Sequence, residues 1–217
     1  MLIEYNPPRS PYLQLVYQDD QLLLVNKPSG LLSVRGKAPE HQDSIERRVQ
    51  LVFPTARVVH RLDMATSGLM LMALTAESHK ALNRQFELRQ TEKHYIAVLE
   101  GKLTADYGEV FLPLRCDWPN RPRQMVCFSH GKKAHTRYER LSQDENSTRV
   151  RLTPITGRSH QLRVHMQSLG HPILGDKFYA SRRGLEAADR LLLHAAHLAF
   201  YHPTTGHWMS FDQPCPF

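Results

Sequence analysis

An α+β fold on a mixed, mostly antiparallel sheet is what this sequence predicts, on three observations. Short runs rich in Val, Leu, Tyr and Phe recur along the chain, bounded by Gly, Pro, Asn and Asp, which is the signature of strands separated by turns. Helical spacing interrupts them at three places, with a shorter fourth. The strands come in series rather than alternating one for one with helices, which favours α+β over a parallel α/β sheet.

In chain order, strands are expected at Leu13–Tyr17, Gln21–Val25, Arg57–Leu62, Leu69–Leu74, His94–Leu99, Glu109–Leu114, Gln124–Phe128, Ala134–Leu141, Thr148–Pro154, Leu191–Tyr201 and Trp208–Phe211. The first helix is expected to start at Asp43, with Glu46 completing a capping box and Ile45, Val49, Val52 and Phe53 on one face. Pro54 ends it. The second follows Thr75, with Leu82 and Phe86 four apart and Glu77 in the first turn. The third covers Ser159–Leu169, with Leu162, Met166 and Leu169 on one stripe and Gly170 as its stop. The fourth covers Arg183–Arg190.

The bulk properties narrow the class. A chain of 217 residues fits one domain, residues 1–217, and at this size it buries roughly 70% of its unfolded surface without staples. Three cysteines leave one over, so they do not form a disulfide framework. The start, MLIEYNPPRS, has an acid and two prolines where a signal peptide needs an apolar stretch. The apolar run Leu69–Leu74 is far shorter than the roughly 20 residues of a membrane helix. These features describe a soluble, reduced, cytoplasmic protein. The formal net charge is +7, carried by 20 arginines and 8 lysines. Arginine's planar fork suits phosphates and base edges and stacks on rings, so a polyanionic partner such as nucleic acid is expected beside the plainer reading of a basic surface.

The stretch HRLDMATSG, His60–Gly68, places one carboxylate, Asp63, between two apolar runs. A loop gripped by buried strands can hold a side chain rigidly and leave it reachable. Alternatively, Asp63 caps the Ala-Thr-Ser turn. A protein-kinase catalytic loop is excluded, because the spacing is off by one and neither a DFG nor a glycine-rich phosphate loop is present. Further along, ITGRSHQLRVHMQSLGHPILGD sets Arg158, His160 and Arg163 at the start of a helix, where amide dipoles favour anions. QTEKHYIAVLEG brings Lys93 and Tyr95 to a strand start, and VNKPSGLL sets Lys27 beside a Pro-Ser-Gly turn.

Taken in order, NKPSGLL, HRLDMATSGLMLMALT, KHYIAVLEG, TGRSHQLRVHM and HPILGD resemble the sequence blocks of the RluA-type pseudouridine synthases, from about Tyr17 to His202. The tail YNPP and the insert CDWPNRPRQMVC look most like the member of that family that acts on both tRNA and ribosomal RNA. The resemblance implies the pseudouridine synthase fold with an active-site cleft. It implies isomerisation of uridines in the tRNA anticodon loop (position 32) and in 23S rRNA, after base flipping. No cofactor is implied. Many relatives carry an N-terminal S4 RNA-binding domain, and with only a short stretch before the first block none is expected here.

The same resemblance assigns Asp63 as the nucleophilic carboxylate and Arg163 as its ion-pair partner, opposing the upward pull of burial on a carboxyl pKa. It assigns Arg61 to the space left by the flipped base, where a guanidinium can stack. Tyr95 packs on the flipped uracil and is a candidate for removing the C5 proton. Leu174 is either a wall of the base pocket or core. Their alternatives are an exposed helical Arg163 and a core Tyr95.

Between Arg115 and Arg140 stand seven basic and two acidic residues, interleaved with aromatics. CDWPNRPR reads as a stiffened hairpin loop whose Arg121 and Arg123 point outward beside Trp118, suiting RNA loops, or else as a solvated basic hairpin. Cys116 and Cys127 are expected to face each other near its base, as two small buried thiols or else as a redox bridge. No metal is assigned: His160 and His165 do not share a helix face as i, i+4 ligands would, and His194 and His197 point to opposite faces of a strand. RNA is the one expected partner, with no obligate protein partner and no membrane. The competing classes are a silent RNA-binding protein and a carboxylate-dependent nuclease or glycosidase, which needs paired carboxylates or a metal.

Overall fold

The computed structural model describes residues 5–217. Among them no helix is long and apolar enough to cross a membrane. The described chain divides into two compact units, one of residues 5–93 and 195–216, the other of residues 94–194 with Phe217.

The first unit begins with β1 (Leu15–Gln18) and β2 (Leu22–Lys27), which pair antiparallel. Helix α1 (Ile45–Gln50) follows. Its N-cap is Ser44, whose side chain accepts the Arg47 amide, and not the expected Asp43. Asp43 instead forms an ion pair with Arg48, whose Nη2 lies 2.6 Å from Oδ2. Glu46 serves no capping box; it faces Arg35 at 3.4 Å. With the helix ending at Gln50, Val52 stays exposed rather than joining the apolar face.

The expected strand at 57–62 is only β3 (Arg57–Val58). It pairs with β4 (Ser67–Ala73), every residue of which is buried. α2 (Ala76–Glu87) is capped by Thr75, as its sequence suggests. β11 (Leu193–Tyr201) and β12 (Trp208–Asp212) come last and pair antiparallel. The order β1-β2-β4-β11 gives one sheet, with β3 beside β4 and β12 beside β11. Leu22, Leu24, Leu69, Leu71, Leu82, Leu198 and Phe200 build its core, with α2 contributing Leu82.

The second unit is built on β5 (Glu92–Glu100), β10 (Ser147–Pro154), β9 (Thr136–Gln143) and β6 (Tyr107–Val110), antiparallel neighbours in that order. The expected strand 109–114 ends early, and β7 (Leu114–Cys116) starts a separate hairpin with β8 (Gln124–Val126). Pro113 lies in the gap, and a proline cannot donate to a strand ladder. Helix α3 (Gln161–Ser168) is buried from Gln161 to Met166, so it has no single apolar stripe, and Leu169 is exposed. α4 (Arg182–Glu186) is shorter than expected.

One glycine shows how tightly the first unit is closed. Gly68 has φ +116, and a Cβ there would stand 2.3 Å from the Ala195 carbonyl oxygen. Both the backbone conformation and the space require glycine. Gly68→Ala is expected to cost at least about 2 kcal/mol and to lower the melting temperature by on the order of 5 °C, measured by thermal unfolding.

Candidate active site

The backbone leaves β3 after Val58 and returns at Ser67. Between them it forms the His60–Thr66 loop, and each carbonyl at its centre has a partner. The Leu62 carbonyl accepts from Ser33 Oγ at 2.6 Å, and Ser33 Oγ in turn accepts the Leu62 amide at 3.0 Å. The Asp63 carbonyl accepts the Thr66 amide at 3.1 Å, closing the turn through the main chain. The Met64 carbonyl accepts from the Gly30 amide at 2.9 Å and from Lys27 Nζ at 3.1 Å. The Ala65 carbonyl accepts from Ser29 Oγ at 2.6 Å. The Lys27–Ser33 segment thus holds the loop residue by residue, and Asp63 stands on a fixed backbone. Asp63 is half-buried, while Arg61, two positions before it, is exposed.

His60 makes the exit from the sheet. Val59 donates to the Leu71 carbonyl at 3.4 Å as a strand residue would, but the Leu71 amide donates to His60 Nε2 at 3.0 Å. A side-chain nitrogen takes the place of the next ladder carbonyl, which frees the backbone to turn. The bond requires an unprotonated Nε2. Burial, helped by the charge of Lys93, lowers the His60 pKa to about 3. The His60 ring stacks on Phe86 with centroids 4.8 Å apart, and Lys93 Nζ lies 5.3 Å from the same Phe86 centroid.

In the second unit Tyr95 is half-buried on β5, opposite Leu152. Arg163 is 3% exposed, so it is not an exposed helical arginine. Its Nε and Nη2 each reach an oxygen of Asp176 at 2.7 Å, a bidentate pair. Asp176 Oδ1 also accepts the Phe178 and Tyr179 amides. Leu174 is buried, exchanges main-chain hydrogen bonds with Val98 and Leu192, and lines a depression with Glu100, Asn146 and Arg183.

The hairpin loop divides the expected contacts. Trp118 is 60% exposed, and the Arg121 guanidinium lies 4.8 Å from its ring centroid. Arg123 does not point outward as expected. It is half-buried, donates to the Phe178 carbonyl, and lies 5.6 Å from the Tyr179 ring centroid. A half-buried carbonyl and an aromatic face within reach draw the guanidinium in. Cys116 and Cys127 do not face each other either: Cys116 pairs with Gln124 across the hairpin, and both thiols are half-buried and unbridged. Cys127 Sγ lies 3.4 Å from Ser129 Oγ, and that hydrogen bond, with the His130 amide, brings its pKa down to about 6.

Asp176, Tyr179, Ser33 and His60 are the side chains that sequence reasoning left without a role. Asp176 and His60 both lie inside quoted blocks, and a lone acid ending HPILGD in so basic a chain was a usable signal. Nothing local marks Tyr179 or Ser33.

Comparison with known proteins agrees across sequence and structure. The family model described as RNA pseudouridylate synthase matches residues 21–168. The dual-specificity RNA pseudouridine synthase RluA of Pasteurella multocida (strain Pm70) is 55% identical over 217 residues, covering 100% of this chain and 99% of the relative. The protein of the same name from Escherichia coli (strain K12) is 54% identical over 214 residues, covering 98% of each. Among solved structures, Human RNA Pseudouridylate Synthase Domain Containing 1 superposes with a TM-score of 0.81 at 30% identity, over 98% of this chain and 87% of that one.

The His60 bond has a pH consequence. The folded state keeps His60 neutral down to about pH 3, whereas an unfolded histidine takes up a proton near pH 6.5. Stability from this group is therefore complete above pH 6.5 and is lost as pH falls from there towards 3, by up to ~1.4 kcal/mol per pH unit. His60→Gln keeps an acceptor for the Leu71 amide but cannot titrate. Its melting temperature is expected to fall less steeply between pH 6 and pH 4 than that of the wild type. Parallel curves would show that His60 does not carry this dependence.

Proposed function

The chain belongs to the RNA pseudouridylate synthase family, and from that premise we propose that Asp63 is the nucleophile with which it converts uridine to pseudouridine in structured RNA. The observation that supports this most is the main-chain hold on the Asp63 loop. Backbone and serine, lysine and glycine partners fix the turn. That rigidity is what preorganised chemistry asks of a reacting group.

The reaction breaks the N1–C1′ bond, joins C5 to C1′, removes the C5 proton and leaves N1 protonated. Substrate and product are isomers, so the balance needs no oxidant, reductant or second substrate. An ionised carboxylate supplies the nucleophile. Arg61, exposed two residues away, has a planar cation to fill the stack when the base leaves it. Tyr95 is the aromatic for the flipped base and the candidate acceptor of the C5 proton. Arg163 supplies the fixed positive charge, itself oriented by Asp176.

We further propose two substrate classes, the tRNA anticodon stem-loop and large-subunit rRNA. The support is the pair of full-length relatives named as dual-specificity RNA enzymes. The exposed Trp118–Arg121 stack offers a stacking surface and a cation to an RNA loop. Binding is expected to weaken steeply with salt, with a slope of roughly −0.7 to −0.9 per phosphate neutralised. Filter binding of an anticodon stem-loop between low and moderate salt measures it, and a flat response would remove phosphate contacts as the basis of affinity.

Asp63→Asn tests the central assignment. Asparagine keeps the size and the main-chain bonds of the turn but removes the charge. Tritium release from C5-labelled uridine RNA is expected to fall by more than the ~10²–10⁴ typical of one general acid or base. RNA affinity should stay within a few-fold of wild type, since phosphate and base contacts carry it. A folded variant that turns over within tenfold of wild type would assign Asp63 to the loop's structure instead.

A further inference from the structure

Tyr179 takes no part in the chemistry above, yet it is 4% exposed and joins three functional segments of the second unit. Its hydroxyl accepts the Gln124 amide at 2.7 Å, at the first residue of β8. The same hydroxyl lies 2.7 Å from His160 Nδ1, at the N-cap of α3, three residues before Arg163. Its ring faces two guanidinium groups, with Arg163 at 5.0 Å and Arg123 at 5.6 Å from the centroid. Its amide donates to Asp176 Oδ1 at 3.2 Å, the carboxylate that holds Arg163.

The segment on the far side of Gln124 is a closed body. Asp117 and Arg123 are joined by a main-chain hydrogen bond of 3.0 Å, as are Asn120 to Asp117 and Arg123 to Asn120. Asn120 Nδ2 also reaches Asp117 Oδ2 at 3.0 Å. A loop with this many internal bonds moves as one piece, so a displacement of its Trp118–Arg121 tip reaches Gln124. On the helix side, His160 has φ +52, a left-handed conformation that is strained for a non-glycine residue. Its side chain makes no cap bond to the helix, and its ring is turned to the Tyr179 hydroxyl.

We propose that Tyr179 is a positioning residue that couples RNA capture by the Asp117–Arg123 loop to the placement of Arg163. The proposal rests on the reading that this loop binds RNA and that Arg163 serves the reaction. RNA that seats on the loop tip pulls on Gln124, and through one hydroxyl the start of α3 follows. Arg163 is then set by Asp176 through the ion pair and by Tyr179 through the ring.

Tyr179→Phe keeps the ring beneath both guanidinium groups and removes the hydroxyl. With a C5-tritiated anticodon stem-loop carrying uridine at position 32, kcat is expected to fall roughly tenfold, the effect of one buried hydrogen bond, with RNA affinity within threefold of wild type. The loop-tip variant Trp118→Ala/Arg121→Ala is expected to weaken binding and kcat together. Combined with Tyr179→Phe, its effect on kcat is expected to shrink to less than threefold, because the route it acts through is already cut. His160→Gly relieves the left-handed backbone and breaks the same contact, so it should reproduce the loss of kcat without loss of melting temperature. His160→Asn, which tolerates that backbone and keeps a polar atom near the Nδ1 position, should restore most of it. If Tyr179→Phe keeps kcat within twofold, or if its defect and that of the loop tip simply multiply, the coupling is overturned. A loop-tip variant with wild-type affinity would remove the loop's RNA role and the coupling with it, whereas a clear loop-tip defect that multiplies with Tyr179→Phe removes the coupling alone.

Discussion

Lys27 is fully buried, and its ammonium donates to the carbonyls of Pro28 at 2.8 Å, Leu31 at 2.7 Å and Met64 at 3.1 Å. An ammonium taken out of water costs several kcal/mol unless polar groups replace its hydration. Here the replacements come from two chain segments, the turn after β2 and the loop that carries Asp63. Satisfying the charge therefore also sets the distance between them. The serines and Gly30 of the same turn add bonds to neighbouring carbonyls of the loop. β2 and β4 deliver the partners in register, with Lys27 opposite Gly68. The fully buried β4 anchors this end of the sheet, and Gly68 admits Ala195 at a distance no side chain would allow.

The second unit solves a related problem with a bidentate pair. Arg163 and Asp176 are both nearly inaccessible, a setting in which losing either partner leaves a charge stranded at a cost of about 3–5 kcal/mol. Asp176 has further acceptor capacity, and the amides of Phe178 and Tyr179 use it. The ion pair thereby shapes the loop that follows it, and that loop supplies the aromatic surface on which Arg123 and Arg163 lie. A guanidinium can be buried in this way because its weak hydration and flat faces suit carboxylate and ring together. Both units place a cation where it organises backbone and let that backbone fix the side chains it carries.

Much of this was legible before folding. The apolar runs predicted nearly every strand, because alternation and turn residues act locally. Thr75 and Gly170 marked helix ends for the same reason. Where the reading failed, another force competed. Asp43 was expected to cap α1, but a buried Arg48 claimed its carboxylate and Ser44 took the cap. The strand at 57–62 was cut short because the His60 ring replaced the ladder carbonyl that Leu71 would have used. Arg123 was read as a surface cation and turned inward to a carbonyl 55 residues away.

The sequence by itself determined the element order, the basic character and the membership of the family, and it singled out Asp63, since these follow from residue type and short-range order. Only the tertiary structure decided that Lys27, Ser29 and Ser33 hold the carbonyls around Asp63, that Asp176 orients Arg163, and that one tyrosine hydroxyl joins a hairpin loop to a helix start. Those partners lie 13 to 55 residues apart along the chain. Hydrogen-bond geometry over such separations is chosen by the packing of whole strands and helices, which no local pattern encodes.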